Sequence, residues 1–79
     1  MAESLVLTVI ADDKTGIVEQ VSKVVAQHGG NWLESRMAHM AGKFAGIVLI
    51  SVDAAQSADL IAALSALSSQ GIQVTAESG

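Results

Sequence analysis

The chain has 79 residues, enough for a single domain, and a domain this small buries only about three-fifths of its unfolded surface, so its isolated stability is marginal. It contains no cysteine, which excludes both a disulfide framework and a thiolate metal site. Four Lys/Arg against eight Asp/Glu give a net charge of −4 and no basic stripe for phosphates, so direct nucleic-acid binding is not expected.

Residues 5–11, LVLTVIA, form a nearly continuous apolar run and predict a buried strand. The run ends in the polar loop Asp12, Asp13, Lys14, Thr15, Gly16. From Ile17 to His28, apolar residues recur at helical spacing through Val21, Val24 and Val25, and this predicts a helix with Thr15 as N-cap and Gly29-Gly30 as its end. Residues 31–40 alternate, with Trp32, Glu34, Arg36, Ala38 and Met40 on one side and Leu33, Ser35, Met37 and His39 on the other, as in an edge strand. Ala41, Gly42 and Lys43 supply a tight turn into residues 44–52, FAGIVLISV, a second apolar and central strand. Ser57 then offers an N-cap with Asp59 in the first turn of a second helix, whose buried stripe is Leu60, Ala63, Leu64 and Leu67 and whose end is Gly71. Residues 72–76 alternate with Ile72, Val74 and Ala76 on one face, as a last strand.

The order is βαββαβ, which predicts an α+β ferredoxin-like sandwich: one four-stranded antiparallel sheet, its first and third strands central, with two helices on one face. No repeat, linker or low-complexity segment divides residues 1–79, which are read as one domain. Both central strands carry apolar residues on both faces, and charged residues are only 15% of the chain against a usual quarter, so the uncovered sheet face or an edge is expected to meet another subunit. No apolar run approaches the roughly 18 residues of a membrane span, and the opening Met-Ala-Glu-Ser lacks the basic start of a signal peptide. A cytoplasmic protein with no membrane partner is expected.

The loop from Asp12 to Gly16 is the best candidate site, because it delivers a helix N-terminus whose free N–H groups favour a carboxylate; an ordinary polar loop is the plainer alternative. Asn31 has donors and acceptors for an amino-acid ligand, and Trp32 follows it; within this topology both are expected near that loop, or else serve as turn and packing. Asp12 and Asp13 are adjacent loop carboxylates with no associated nucleophile or base, so no enzyme is expected. His28 and His39 belong to no metal-binding pattern, and no metal or other cofactor is expected. Met37 and Met40 fall on opposite strand faces and read as packing. With Trp32 and Phe44 the sole aromatics, the chain lacks the stacking platform of an RNA-binding βαββαβ domain.

The stretch from Val9 to Val18, VIADDKTGIV, followed by Gly29-Gly30-Asn31-Trp32, resembles the opening of ACT domains, and the resemblance covers essentially the whole chain. Arg36 to Phe44, RMAHMAGKF, adds a likeness to the ACT domains of the glycine cleavage system transcriptional repressor group. The resemblance implies a non-catalytic regulatory domain that binds an amino acid at or near a homodimer interface, possible regulatory protein partners, and a role in regulating glycine cleavage. Carried over by position, it implies a ligand loop of Asp13, Lys14, Thr15, Gly16 and Ile17, with Asn31, Trp32 and Leu33 opposite. Thr15 stands where many members have proline, and the repressor group carries two such domains in tandem where this chain has one. The alternative function is a protein-interaction module indifferent to metabolites.

Overall fold

The computed structural model describes residues 2–12 and 15–78. Its elements are β1 (Ala2–Asp12), α1 (Ile17–Gln27), β2 (Asn31–Met40), β3 (Lys43–Asp53), α2 (Ala54–Ser65), a 3-10 turn (Ala66–Gln70) and β4 (Ile72–Ser78). The four strands form one antiparallel sheet in the order β2-β3-β1-β4, so the two most apolar strands are central as their composition requires.

Period-2 alternation sorts every strand into two faces. Leu5, Leu7, Val9 and Ala11 of β1, Phe44, Val48, Ile50 and Val52 of β3 and Ile72 of β4 are buried in one cluster with Ile17, Val21 and Val25 of α1 and Leu60, Leu64 and Leu67 of the second helical segment. Both helices therefore cover the same face. The other face carries Val6, Thr8 and Ile10 of β1 with Ala45, Ile47 and Leu49 of β3, paired across the strands and open to solvent. Among the described residues no helix is long and apolar enough to cross a membrane.

The valine-rich α1 holds as a helix because burial of its Ile17, Val21 and Val25 stripe outweighs the modest propensity cost of β-branched residues. It ends as expected. Gly30 N–H reaches Val25 O at 2.9 Å and Gly29 N–H reaches Ala26 O at 3.1 Å, with Gly29 at φ 72°, the paired bonds of a Schellman stop.

Its start differs from expectation. Thr15 does not cap α1: the N-cap is Gly16, left-handed at φ 90°, and no described side chain caps the helix. A residue with Cβ at that φ is strained, so the turn selects glycine and displaces threonine outward. The start of α2 is also corrected: Asp53, not Ser57, is the cap, its carboxylate accepting the Ala55 N–H at 3.1 Å. The helix begins directly at the end of β3, and Ser57 lies in its first turn, its hydroxyl donating to Ala54 O at 3.2 Å. Asp59 accordingly falls beyond the first turn.

A bulge between Trp32 and Glu34 changes the faces of β2. Leu33 is the extra residue, so Trp32 pairs with Ile50 while Met37 pairs with Gly46, and both pack toward the core although simple alternation separates them. Beyond the bulge, Glu34, Arg36, Ala38 and Met40 pair with open-face residues of β3.

Candidate functional site

The site begins with backbone rather than side chains. Because Gly16 caps α1 with its left-handed turn, the first N–H groups of the helix are left without a described side-chain partner; Gly16 O accepts Gln20 N–H at 2.9 Å and closes the first helical bond. These groups, with the positive end of the helix dipole, favour an anion such as a carboxylate.

The same helix start roofs a groove of about 380 Å³ lined by Gly16, Ile17, Val18, Glu19, Met37, His39 and Phe44. The topology dictates this meeting. β1 and β3 pair from Ala2–Asp53 to Asp12–Lys43, so α1 starts above the end of the sheet where β2 closes and β3 opens. Phe44 is buried as the floor, and His39 stands edge-on to it with ring centroids 5.2 Å apart at 76°. Met37 lies along Gly46, whose missing side chain is what admits it: a Cβ there would fall 2.2 Å from the Met37 sulfur. The groove thus offers N–H donors, an imidazole, the exposed Glu19 carboxylate and an apolar floor. That combination suits a small zwitterion.

The sequence-predicted site divides into two. Thr15, Gly16 and Ile17 lie at the groove end, Thr15 exposed and Ile17 buried in the core; Asp13 and Lys14 lie outside the described residues. Asn31, Trp32 and Leu33 lie at the opposite end of the sheet, since Asn31 pairs with Ser51, eight positions along β3 from Lys43. At about 3.3 Å per residue they sit roughly 26 Å from the loop, so the expectation that one protomer brings them together is corrected. The cause is directional: α1 returns the chain to the far end before β2 starts. Asn31 is exposed, Trp32 packs against the core beside Ile50, and Leu33 projects from the bulge.

Val18, Glu19, Met37, His39 and Phe44 line the groove without having been marked by the sequence pattern. The available signal was strand direction, since the residue closing β2 must lie near the start of α1 in any βαββ order. His28, by contrast, takes no part: its Nδ1–H donates to Val24 O at 2.9 Å within α1. Among the described residues no group of three or more His, Asp or Glu could hold a metal ion.

The model of the ACT domain matches residues 3–77, and the chain belongs to the ACT domain family. It is 35% identical over 78 residues to a UPF0237 protein of Methanococcus maripaludis, covering 95% of this chain and 87% of that one. Among solved structures, it superposes with a TM-score of 0.92 and 26% identity on a protein assigned as a glycine cleavage system transcriptional repressor. All of this chain is covered, but only 47% of the repressor chain, so it spans about half of that protein's length. An ACT domain protein from Streptococcus pneumoniae matches with a TM-score of 0.84 and 25% identity over 99% of this chain and 91% of that one.

Proposed function

We propose that the chain is a metabolite-sensing regulatory module that binds a free amino acid in the groove at the start of α1. The observation that carries this reading is the convergence of helix N–H groups that no described side chain caps with Glu19, His39 and the Met37–Phe44 floor in one groove. The ligand carboxylate meets the N–H groups of α1, its ammonium faces Glu19, and an apolar side chain lies over Met37 and Phe44. No bond of the ligand is broken, and the domain works without catalysis.

The site is completed by a second copy. β2 is an edge strand, and antiparallel pairing of two β2 strands near Ser35 brings Asn31–Leu33 of one protomer beside the Met37–His39 end of the other. The two halves of the sequence-predicted site, roughly 26 Å apart within a protomer, thereby meet between protomers. Ligand binding then favours the paired state and shifts its population, which is the output. The likeness to about half of a glycine cleavage system repressor supports an intracellular role in regulation linked to glycine cleavage, exerted through protein contacts rather than through DNA.

Thermal unfolding against a panel of amino acids tests the reading. A ligand at a hundredfold excess over its dissociation constant stabilises the folded state by about 2.7 kcal/mol, which for a domain of this size is a rise of many degrees. A selective rise that His39→Ala abolishes supports the groove. A stable oligomer indifferent to every amino acid supports the alternative, a constitutive interaction module.

A further inference from the structure

Gly46 is a gap in the helix-facing row of β3, where Phe44, Val48, Ile50 and Val52 are all buried and each fills its place in the core. Its backbone is not in the left-handed region that calls for glycine, unlike that of Gly16, Gly29, Gly42 and Gly71. A glycine inside a strand forfeits packing and stiffness, so what it supplies here is space. The neighbouring strand takes that space. Met37 pairs with Gly46, and its thioether lies across the bare backbone, where a Cβ would come 2.2 Å from the sulfur and 3.4 Å from Cε.

Met37 also lines the groove at the start of α1, with Phe44 beside it and Val18, 41% exposed, on the helix above. The depth to which a bound side chain can reach therefore follows from how low Met37 sits over Gly46. A ligand of glycine or alanine size, held by its carboxylate and ammonium, leaves this apolar lining wet, whereas a side chain that reaches it removes both surfaces from water. At the usual gain for a buried methylene, each added carbon is worth about fourfold in affinity, so the three further heavy atoms of leucine or methionine come to about sixtyfold over alanine. Met37, unbranched and built on a polarizable sulfur, has the rotamer freedom to close on such a side chain.

We propose that Met37, seated over Gly46, is the specificity-determining residue of the groove and selects amino acids with aliphatic or thioether side chains of leucine or methionine size over glycine and alanine. The inference rests on the reading of the groove as an amino-acid site and adds to it the class of ligand. Gly46 acts through Met37 and is a positioning residue that holds the thioether low.

Isothermal titration of the full chain with glycine, alanine, leucine, methionine and phenylalanine tests it. The unaltered chain is expected to bind leucine or methionine about sixtyfold more tightly than alanine. Gly46→Ala lifts the sulfur by roughly an ångström toward the groove. It is expected to cut that preference roughly tenfold while the affinity for alanine holds, because the carboxylate and ammonium contacts are untouched. Met37→Ala empties the niche and is expected to move the preference the other way, toward phenylalanine over leucine. Opposite shifts from two touching residues separate selection from a general loss of packing, which weakens every ligand alike. Should either variant lose its fold by circular dichroism, carbon-13 methyl labelling of the methionines in the unaltered chain provides a second reading. The Met37 methyl resonance is expected to move on saturation with leucine while that of Met40, exposed and outside the groove, stays. Equal weakening of all ligands in both variants, a Met37 methyl that does not move, or glycine or alanine bound as tightly as leucine overturns the inference and leaves the amino-acid site standing. A chain that binds no amino acid overturns the site and the inference with it.

Discussion

At the scale of single residues, caps and close approaches decide what the patterns leave open. Asp53 caps α2, and the Ala55 N–H bond, foremost among its interactions, holds its carboxyl below the usual aspartate range. A depressed folded-state pKa contributes stability that is present above the unfolded value, about pH 4, and is lost as pH falls through the folded one. Asp53→Ala is therefore expected to lower the melting temperature at neutral pH, with the difference from the unaltered chain closing as the solution is acidified, as calorimetry across pH would read. Gly46 is the other decisive residue. Gly46→Ala must push the Met37 sulfur aside and crowd Arg36 O at 3.2 Å, and should cost on the order of 1 kcal/mol by denaturant titration. The cost should shrink when Met37 is also cut to alanine, a coupling that a double-mutant cycle measures. Neither effect is legible in sequence: Asp53 closes a strand and so does not read as a helix cap, and Gly46 lies mid-strand, where only the register reveals which side chain crosses it.

Elements were far more legible, because periodicity reports burial directly. The apolar runs of β1 and β3 name the central strands, the Ile17-Val21-Val25 spacing names the buried stripe of α1, and the paired glycines mark where it stops. The phase of β2 was not legible. A single bulged residue, Leu33, reverses every later side chain, and no composition signal distinguishes it from a regular strand position. That reversal puts His39 and Met37 on the side where α1 begins, so half of the groove was hidden by it. At this scale the proposed β2 pairing makes its own prediction. Antiparallel pairing near Ser35 sets Glu34 of one protomer opposite Arg36 of the other, and their exposure means that the pair within one protomer adds little to the fold. Arg36→Glu should therefore leave the secondary structure intact while abolishing the amino-acid response. The double exchange Glu34→Arg with Arg36→Glu should restore it, as thermal unfolding with and without ligand would report.

For the molecule as a whole, a small core and an apolar exterior are two sides of one composition. The buried cluster of strand and helix residues stabilises a domain of 79 residues only modestly, while Ile10 and Ile47 stay half exposed on the open face. Under the proposed pairing along β2, association and stability are linked, so the melting temperature should rise with protein concentration. The candidate site follows the same logic. Its two sequence-predicted halves stand at opposite ends of one sheet, and the proposed pairing, by bringing them together, would couple ligand binding to assembly.

The most direct test of amino-acid sensing is residue-resolved: backbone amide NMR shifts of the unaltered chain, titrated with each member of an amino-acid panel. A selective ligand is expected to move the Gly16, Ile17, Val18 and Glu19 amides together with Met37 and His39, and, through the partner protomer, Asn31 to Leu33. Saturable shifts confined to other parts of the sheet, or an oligomer whose spectrum no amino acid perturbs, would contradict it.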